Sequence, residues 1–391
     1  MNERTALTAN DSAAMALKQV NPDVAAVFPI TPQTELMHKF SQYVADGDVD
    51  TELINVESEH SAMSATVGAA AAGARSVTAT SANGLALMWE ILYIASSLRL
   101  PIVMPEVNRA LSGNINIHCD HSDTMGARDA GWIQFFSENA QEAYDNVIQA
   151  FRIAEHKDVL LPAMATLDGF ILSHTMETLD VFKDDKNVTD FVGEYSPAYS
   201  LLEKDPITVG PLDLQDFYFE HKRAQYEAMT KVPAVVKEVA AEYKELSGRE
   251  YGFVEKYLLD DADVAVVVLG STAGTARTAI DNMRKKGIKA GMLKIRMFRP
   301  FPAEEVVEAL TGVSAIGIMD RSISFGAQAG PVFLEMRCAA YETDLLFADF
   351  IYGLGGRDVP EAHVEDVIQR LVTIAEKGKV DKLVDFIGVR D

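Results

Sequence analysis

The sequence predicts an α/β protein made of two successive parallel-sheet units. Three observations carry this. Short apolar runs alternate with longer stretches of helical period as far as Leu167, a polar, proline-bearing segment interrupts them from Asp180 to about Tyr218, and the alternation resumes at "DADVAVVVLG", Asp261–Gly270. Strands separated by helices form βαβ units, whose parallel sheet is covered on both faces.

In the first unit the apolar runs place strands at Ala25–Phe28, Glu52–Val56, Ser76–Thr80, Ile102–Val107 and Val159–Leu167. Helical patterns fall between them at Thr34–Val44, Ser61–Ala74, Leu85–Ser97 and Ala140–His156. The interruption keeps aromatic and aliphatic anchors, so it reads as a long ordered connection, with a helix over roughly His221–Glu245. In the second unit helix 274–286, strand "AGMLKIRMF", helix 303–310, strand "SAIGIMD", helix 327–341 and strand "LLFADFIYG" follow, closed by a helix near Val364–Lys377. The expected division is 1–180, a connecting segment with helix at 181–255, and 256–391.

The composition limits the chemistry. Of 391 residues, 48% are hydrophobic and 24% charged, which is ample material for a globular core. A net charge of −23 argues against nucleic acid as a partner and repels an anionic substrate, so local arginines or helix N-termini must reverse the sign at any anion site. Two cysteines, Cys119 and Cys338, are too few for an iron–sulfur cluster of the usual four thiolates. No apolar stretch is long enough to span a bilayer, and "MNERTALTANDSAAM" lacks the pattern of a secretory signal; a cytoplasmic protein without membrane contact is expected.

Ligands of open parallel sheets sit beyond the carboxyl ends of the strands. In the first unit those ends read "FPITP", "NVESEH", "TATSANG", "EVNRALSG" and "LDGF". Thr31, before Pro32, has the pattern of a helix N-cap, and the same geometry offers a hydroxyl and free N–H groups to an anion. Glu59 reads as an acidic residue at the start of an alanine-rich helix, or as a half-buried carboxyl fit for proton transfer. Arg109 is an ordinary surface arginine by type, but this acidic chain needs a cation if its ligand is an anion. His118, Cys119, Asp120, His121 and Asp123 lack the paired spacings of zinc ligands and read as a loop tied by its own side chains; no metal ligand is assigned. "GSTAGT", Gly270–Thr275, has no P-loop lysine and reads as a tight strand-to-helix turn.

Together these stretches resemble the alpha subunit of the 2-oxoacid:ferredoxin oxidoreductase family, in particular of its pyruvate:ferredoxin oxidoreductases. The resemblance rests on "FPITP", "ESEH", "NRALSGNINIHCDHSDTMGARDAGWIQFFSENAQEAYD", "LLPAMATLDGFILSHT", "LGSTAGTA", "KIRMFRPFP", "DRSISFGAQAGP" and "GLGGRD", spread over almost the whole chain.

The resemblance implies a thiamine diphosphate-binding domain of the pyrimidine type followed by a transketolase C-terminal-like α/β domain that serves assembly more than catalysis. It implies reversible oxidative decarboxylation of pyruvate with coenzyme A to acetyl-CoA, with electrons passed to ferredoxin. Thiamine diphosphate would be shared with a beta subunit holding the diphosphate and Mg²⁺ through a G-D-G…N motif absent from this sequence. Iron–sulfur clusters would lie on partner subunits, in a complex with gamma- and delta-type chains. Glu59 matches the glutamate that bonds N1′ of the pyrimidine, Arg109 the arginine that grips the substrate carboxylate, Thr31 the hydroxyl beside it, and Pro29 the wall near the pyrimidine. Phe28 stands where the family often has tyrosine, and Ser81 and Asn83 receive no role. A larger branched-chain substrate such as 2-oxoisovalerate, or a non-catalytic scaffold, are the alternatives. Because ferredoxins are acidic like this chain, ferredoxin is expected to dock on the cluster-bearing subunit.

Overall fold

The computed structural model describes residues 2–390. Strand β1 (Asn2–Leu7) and helix α1 (Ala9–Val20) precede β2 (Val24–Val27), α2 (Thr34–Asp46), β3 (Glu52–Asn55), α3 (Glu59–Ala71), β4 (Ser76–Val77), α4 (Ala82–Leu87), α5 (Trp89–Ser97) and β5 (Val103–Asn108). A loop and the short α6 (Ser122–Gly126) lead to β6 (Ile133–Ser137), α7 (Ala140–Ala154), β7 (Ala163–Asp168), β8 (Glu177–Phe182) and α8 (Lys186–Val192). The long α9 (Tyr218–Ser247) enters the second unit, which runs β9 (Val254–Tyr257), β10 (Val264–Val268), α10 (Thr272–Lys285), β11 (Ala290–Ile295), β12 (Met297–Arg299), α11 (Ala303–Ala309), β13 (Ala315–Asp320), α12 (Pro331–Ala339), β14 (Leu346–Tyr352), α13 (Glu361–Lys377) and β15 (Val384–Ile387).

Two sheets organise these elements. The first has the order β12-β6-β7-β5-β4-β2-β3 and the second β15-β14-β13-β10-β11-β9, with β1 and β8 forming a separate antiparallel pair. All pairings between β2 and β7 in the first sheet are parallel, so the carboxyl ends of β2, β3, β4, β5 and β7 open on one edge. The central strands β5 and β7 are buried along their whole length, as a sheet covered on both faces requires.

Several elements depart from the sequence reading, each for a local reason. β1 is largely exposed and polar, so no apolar run marks it. The buried face of α1 includes Asn10, Ser12 and Gln19, which hide its helical period; Thr8 and Asp11 close its start in a capping box. The stretch Leu85–Ser97 is two helices that meet at Met88. "AGMLKIRMF" is two strands in different sheets: β11 pairs with β10, and after buried Arg296 the chain turns so that β12 pairs antiparallel with β6. Arg296 is held there by Asn146 at 2.8 Å and by the rings of Phe135 and Tyr251. The second unit thus lends an edge strand to the first sheet.

The connection is ordered as expected. β8 and α8 occupy its start, and the irregular part is pinned where the Tyr199 hydroxyl donates to the Leu98 carbonyl at 2.7 Å and Ser200 Oγ to the Ala72 carbonyl at 2.6 Å.

Candidate active site at the facing strand ends

The turn after β2 is closed by Ile30 and Gln33. The Ile30 carbonyl accepts from the N–H groups of Gln33 and Thr34 at 2.8 and 3.1 Å, while Gln33 Nε2 donates to the Ala79 carbonyl at 3.0 Å. Helix α2 therefore starts at Thr34 with Gln33 in the N-cap position, so the expected capping by Thr31 is corrected. Thr31 instead sits exposed in the turn, its hydroxyl without a partner among the described residues; Pro29 is also exposed and Pro32 is buried.

Glu59 is the first residue of α3, two residues earlier than the apolar pattern suggests, because Ser58 caps the helix by accepting from the Ser61 N–H at 3.2 Å. Its side chain is almost entirely covered, at 8% exposure, yet its carboxylate bonds to no described residue. α4 approaches it through Gly84, where a Cβ would stand 2.9 Å from Glu59 Oε1 and 2.3 Å from Thr80 Oγ1. The Thr80 hydroxyl is buried and unpartnered. Glu59 and Thr80 thus meet at one point on the carboxyl edge, with polar capacity to spare.

Arg109 follows β5. Its Nη1 donates to the Thr31 carbonyl at 2.9 Å and its Nε to the Asn116 carbonyl at 2.8 Å, while Nη2 bonds to no described residue. Its own N–H donates to Asp123 Oδ2 at 2.8 Å. Burial lowers the Arg109 pKa and the nearby Asp123 carboxylate opposes this, so the guanidinium stays charged. In strand order β3, β2, β4, β5, the ends therefore carry Glu59, Thr31, Thr80 and Arg109 side by side.

Three buried acids support this edge, and none of them was expected to be functional. Glu106 lies inside β5 with both carboxylate oxygens unpartnered; burial, then the neighbouring Asp123, push its pKa well up. Asp123 accepts from the N–H groups of Ala82 and Arg109, and burial lifts it to about 6 against those bonds. Asp168, at the end of β7, accepts from Arg321 at 3.0 Å, contacts His121 Nε2 at 2.8 Å, and takes the Ser271 N–H at 3.0 Å. Burial alone would raise the Asp168 pKa; His121, Arg321 and Ser271 together hold it well below the usual carboxylate range. The available signals were a lone glutamate in the apolar run "PIVMPEVN" and the aspartate of "LDGF".

Ser271 and Arg321 follow β10 and β13, so the carboxyl edges of the two sheets face each other across Asp168. Gly270 (φ +62°) is the tight turn expected, and a Cβ there would lie 2.9 Å from Asp168 Oδ1. The His118–Asp123 segment is tied locally only in part: Asp120 Oδ1 accepts from the Ser122 N–H at 3.0 Å, while His121 reaches Asp168 and Asp123 accepts from the Ala82 N–H. Two groups of possible metal ligands exist among the described residues, Cys119–His121–Asp168 and Glu138–Glu142–Glu255. A side-chain cation already sits in each: Arg321 on Asp168, and Lys294, 2.7 Å from both Glu138 and Glu142.

Comparison with known proteins places this architecture in a class. The family model described as "Pyruvate flavodoxin/ferredoxin oxidoreductase, thiamine diP-bdg" matches residues 15–241, and "Pyruvate:ferredoxin oxidoreductase core domain II" matches residues 262–364. The chain belongs to the pyruvate:ferredoxin oxidoreductase family of 2-oxoacid:ferredoxin oxidoreductases, and its first unit is a thiamine diphosphate-binding domain. It is 55% identical to pyruvate synthase subunit PorA of Thermotoga maritima over 100% of this chain and 99% of that one. It is 41% identical to ketoisovalerate oxidoreductase subunit VorA of Pyrococcus abyssi, covering 98% of this chain and 97% of that one. Among solved structures, a 2-oxoglutarate:ferredoxin oxidoreductase from Magnetococcus marinus superposes with a TM-score of 0.76 at 18% identity, over 94% of this chain and 65% of that one. A split gene transketolase superposes with a TM-score of 0.55 at 14% identity, over 94% of this chain and 97% of that one. Both share the fold.

Proposed function

We propose that this chain is the alpha subunit of a pyruvate:ferredoxin oxidoreductase, working in the cytoplasm on pyruvate and coenzyme A with ferredoxin as electron acceptor. The observation that carries the reading is the row Glu59, Thr31, Thr80, Arg109 on one sheet edge, with unspent hydrogen-bonding capacity at Glu59 and at Arg109 Nη2. The residues fit the pyrimidine end of thiamine diphosphate: the Glu59 carboxylate bonds to no described residue, and the buried Thr80 hydroxyl beside it is unpartnered, with Gly84 packed closely against both. When bound, the cofactor supplies the electron sink for decarboxylation.

Glu59 would accept a hydrogen bond from the pyrimidine ring and hold or return a proton at that atom. Arg109 would present the free donors of Nη1 and Nη2 to the keto acid's carboxylate, supplying a local cation in an acidic chain. Thr31 would add its hydroxyl beside that carboxylate, and Pro29 would shape the wall.

Diphosphate, Mg²⁺ and iron–sulfur clusters fall to a beta subunit and to gamma- and delta-type partners. Supporting this, α4 and α5 continue from Glu59 into a surface exposing Leu87, Trp89, Tyr93 and Ile94, apolar area suited to a covering chain. The division 1–180, 181–255 and 256–391 remains part of the reading. Identity favours the pyruvate enzyme over the 2-oxoisovalerate enzyme, 55% against 41%. Assaying the assembled complex on both keto acids tests this: pyruvate should have the higher kcat/KM, and a preference for 2-oxoisovalerate would reverse the substrate assignment.

A further inference from the structure

We infer that Asn116 is a positioning residue through which the second unit sets the grip of Arg109 on substrate. The inference rests on the reading of Arg109 as the carboxylate-binding cation. Residues Ser112–Ile115 are exposed, so this loop has little core of its own to define the guanidinium position. Arg109 Nε donates to the main-chain carbonyl of Asn116 at 2.8 Å. The side chain of the same residue leaves the first unit: Asn116 Nδ2 donates to the Gly355 carbonyl at 2.9 Å. Its Oδ1 accepts from the His118 N–H at 2.7 Å, which fixes the amide's orientation. One residue therefore touches the cation on one side and the second unit on the other.

The contact is part of a docked seam. Gly353–Gly356 is the turn that follows β14, and it meets the loop at three further points. The Gly355 N–H donates to Asp120 Oδ2 at 3.1 Å, and the Gly356 N–H to the Cys119 carbonyl at 2.7 Å. A Cβ at Gly356 would lie 2.3 Å from His118 Cβ, and one at Gly355 2.4 Å from Asn116 Nδ2, so only glycines admit this approach. Both glycines have positive φ, +59° and +77°, which reinforces the requirement. The base of the loop is fixed as well, since the His121 N–H donates to the Arg321 carbonyl at 2.9 Å. The loop thus hangs from the second unit at its base and near Asn116, and Arg109 is positioned by both. A unit expected to serve assembly more than catalysis here sets the geometry of a substrate contact.

The test uses the assembled complex with pyruvate as the varied substrate. Asn116→Ala keeps the main-chain carbonyl but removes the tie to Gly355; Gly355→Ala breaks the same tie from the other unit. Each should raise KM for pyruvate roughly tenfold with kcat within about threefold, as expected when a binding group loses its position. The double variant should be no worse than the weaker single variant, because both act through one bond. Falling kcat with unchanged KM, alongside a lower melting temperature, means a structural role only and overturns the inference. Independent, multiplying effects overturn it too. Arg109→Ala separates the two levels: if it leaves KM unchanged, the functional reading fails; if it raises KM while Asn116→Ala and Gly355→Ala do not, the positioning inference alone fails.

Discussion

Arg109 bonds to Thr31 through the main-chain carbonyl, at 2.9 Å from Nη1, and not through the threonine hydroxyl. The two candidate substrate contacts are therefore separable by mutation. Thr31→Ala keeps the carbonyl and the arginine's position, so any change reports on the hydroxyl: a rise in KM for pyruvate of about fivefold, near 1 kcal/mol for one neutral hydrogen bond. Arg109→Ala removes a charged donor and should raise KM by about tenfold to a hundredfold. Steady-state kinetics on the assembled complex decide, and equal effects from the two variants would contradict the split.

Glu59 should control the chemical step. With Glu59→Gln or Glu59→Ala we expect kcat to fall by about a hundredfold or more, the usual scale for a positioned acid–base group, while the subunits still assemble. Gly84→Ala should mimic this with the glutamate intact, since the added Cβ would take the space 2.9 Å from Oε1. Turnover measured beside gel filtration checks both; an intact complex with unchanged kcat in Glu59→Ala would leave the chain a scaffold.

The parallel-sheet class and the placement of Glu59, Thr31 and Arg109 at strand ends were legible because apolar strand runs and their terminal polar residues are local in sequence. The supports of the site were not. Asp168 and Arg321 lie 153 positions apart, and nothing near either marks it as half of a buried pair. Thr31 misled for a local reason: Thr–Pro looks like a cap, but the longer Gln33 side chain bonds to Ala79 and the helix begins after it. The β11–β12 strand looked continuous because its hydrophobic run is, and only buried Arg296 marks the change of sheet.

Asp168 ties the two sheet edges, and both it and Arg321 are almost fully buried, at 1% and 2% exposure. Replacing it by asparagine leaves the buried guanidinium without its directly bonded carboxylate, so Asp168→Asn should lower stability by about 3–5 kcal/mol. Adding Arg321→Met to that variant should recover part of the loss, because no unpaired charge then remains buried. The folded pKa is held below the ordinary 3.8, so the aspartate's contribution is complete above that value and is lost as pH falls below it. Urea denaturation of the three proteins at pH 7 measures this; a single-variant loss under about 1 kcal/mol would show that the pair does not hold the edges together.

Glu106 predicts the opposite pH dependence. Its pKa in the fold is well above the ordinary 4.5, chiefly because burial penalises the carboxylate, so the folded chain keeps a proton that the unfolded chain releases. Stability from this group is complete below the unfolded value and declines as pH rises toward the folded one, by about 1.4 kcal/mol per pH unit in between. Glutamine has nearly the same shape and cannot ionise. Relative to the parent chain, Glu106→Gln should therefore gain stability as pH rises above the ordinary 4.5, by up to about 1.4 kcal/mol per unit until the folded pKa is reached. Asp123, lifted to about 6, contributes with the same sign but is present in both proteins and so cancels to first order in the difference. Denaturation curves at pH 5, 6 and 7 provide the measurement, and a gap between variant and parent that stays constant across them would mean that Glu106 is already ionised in the fold.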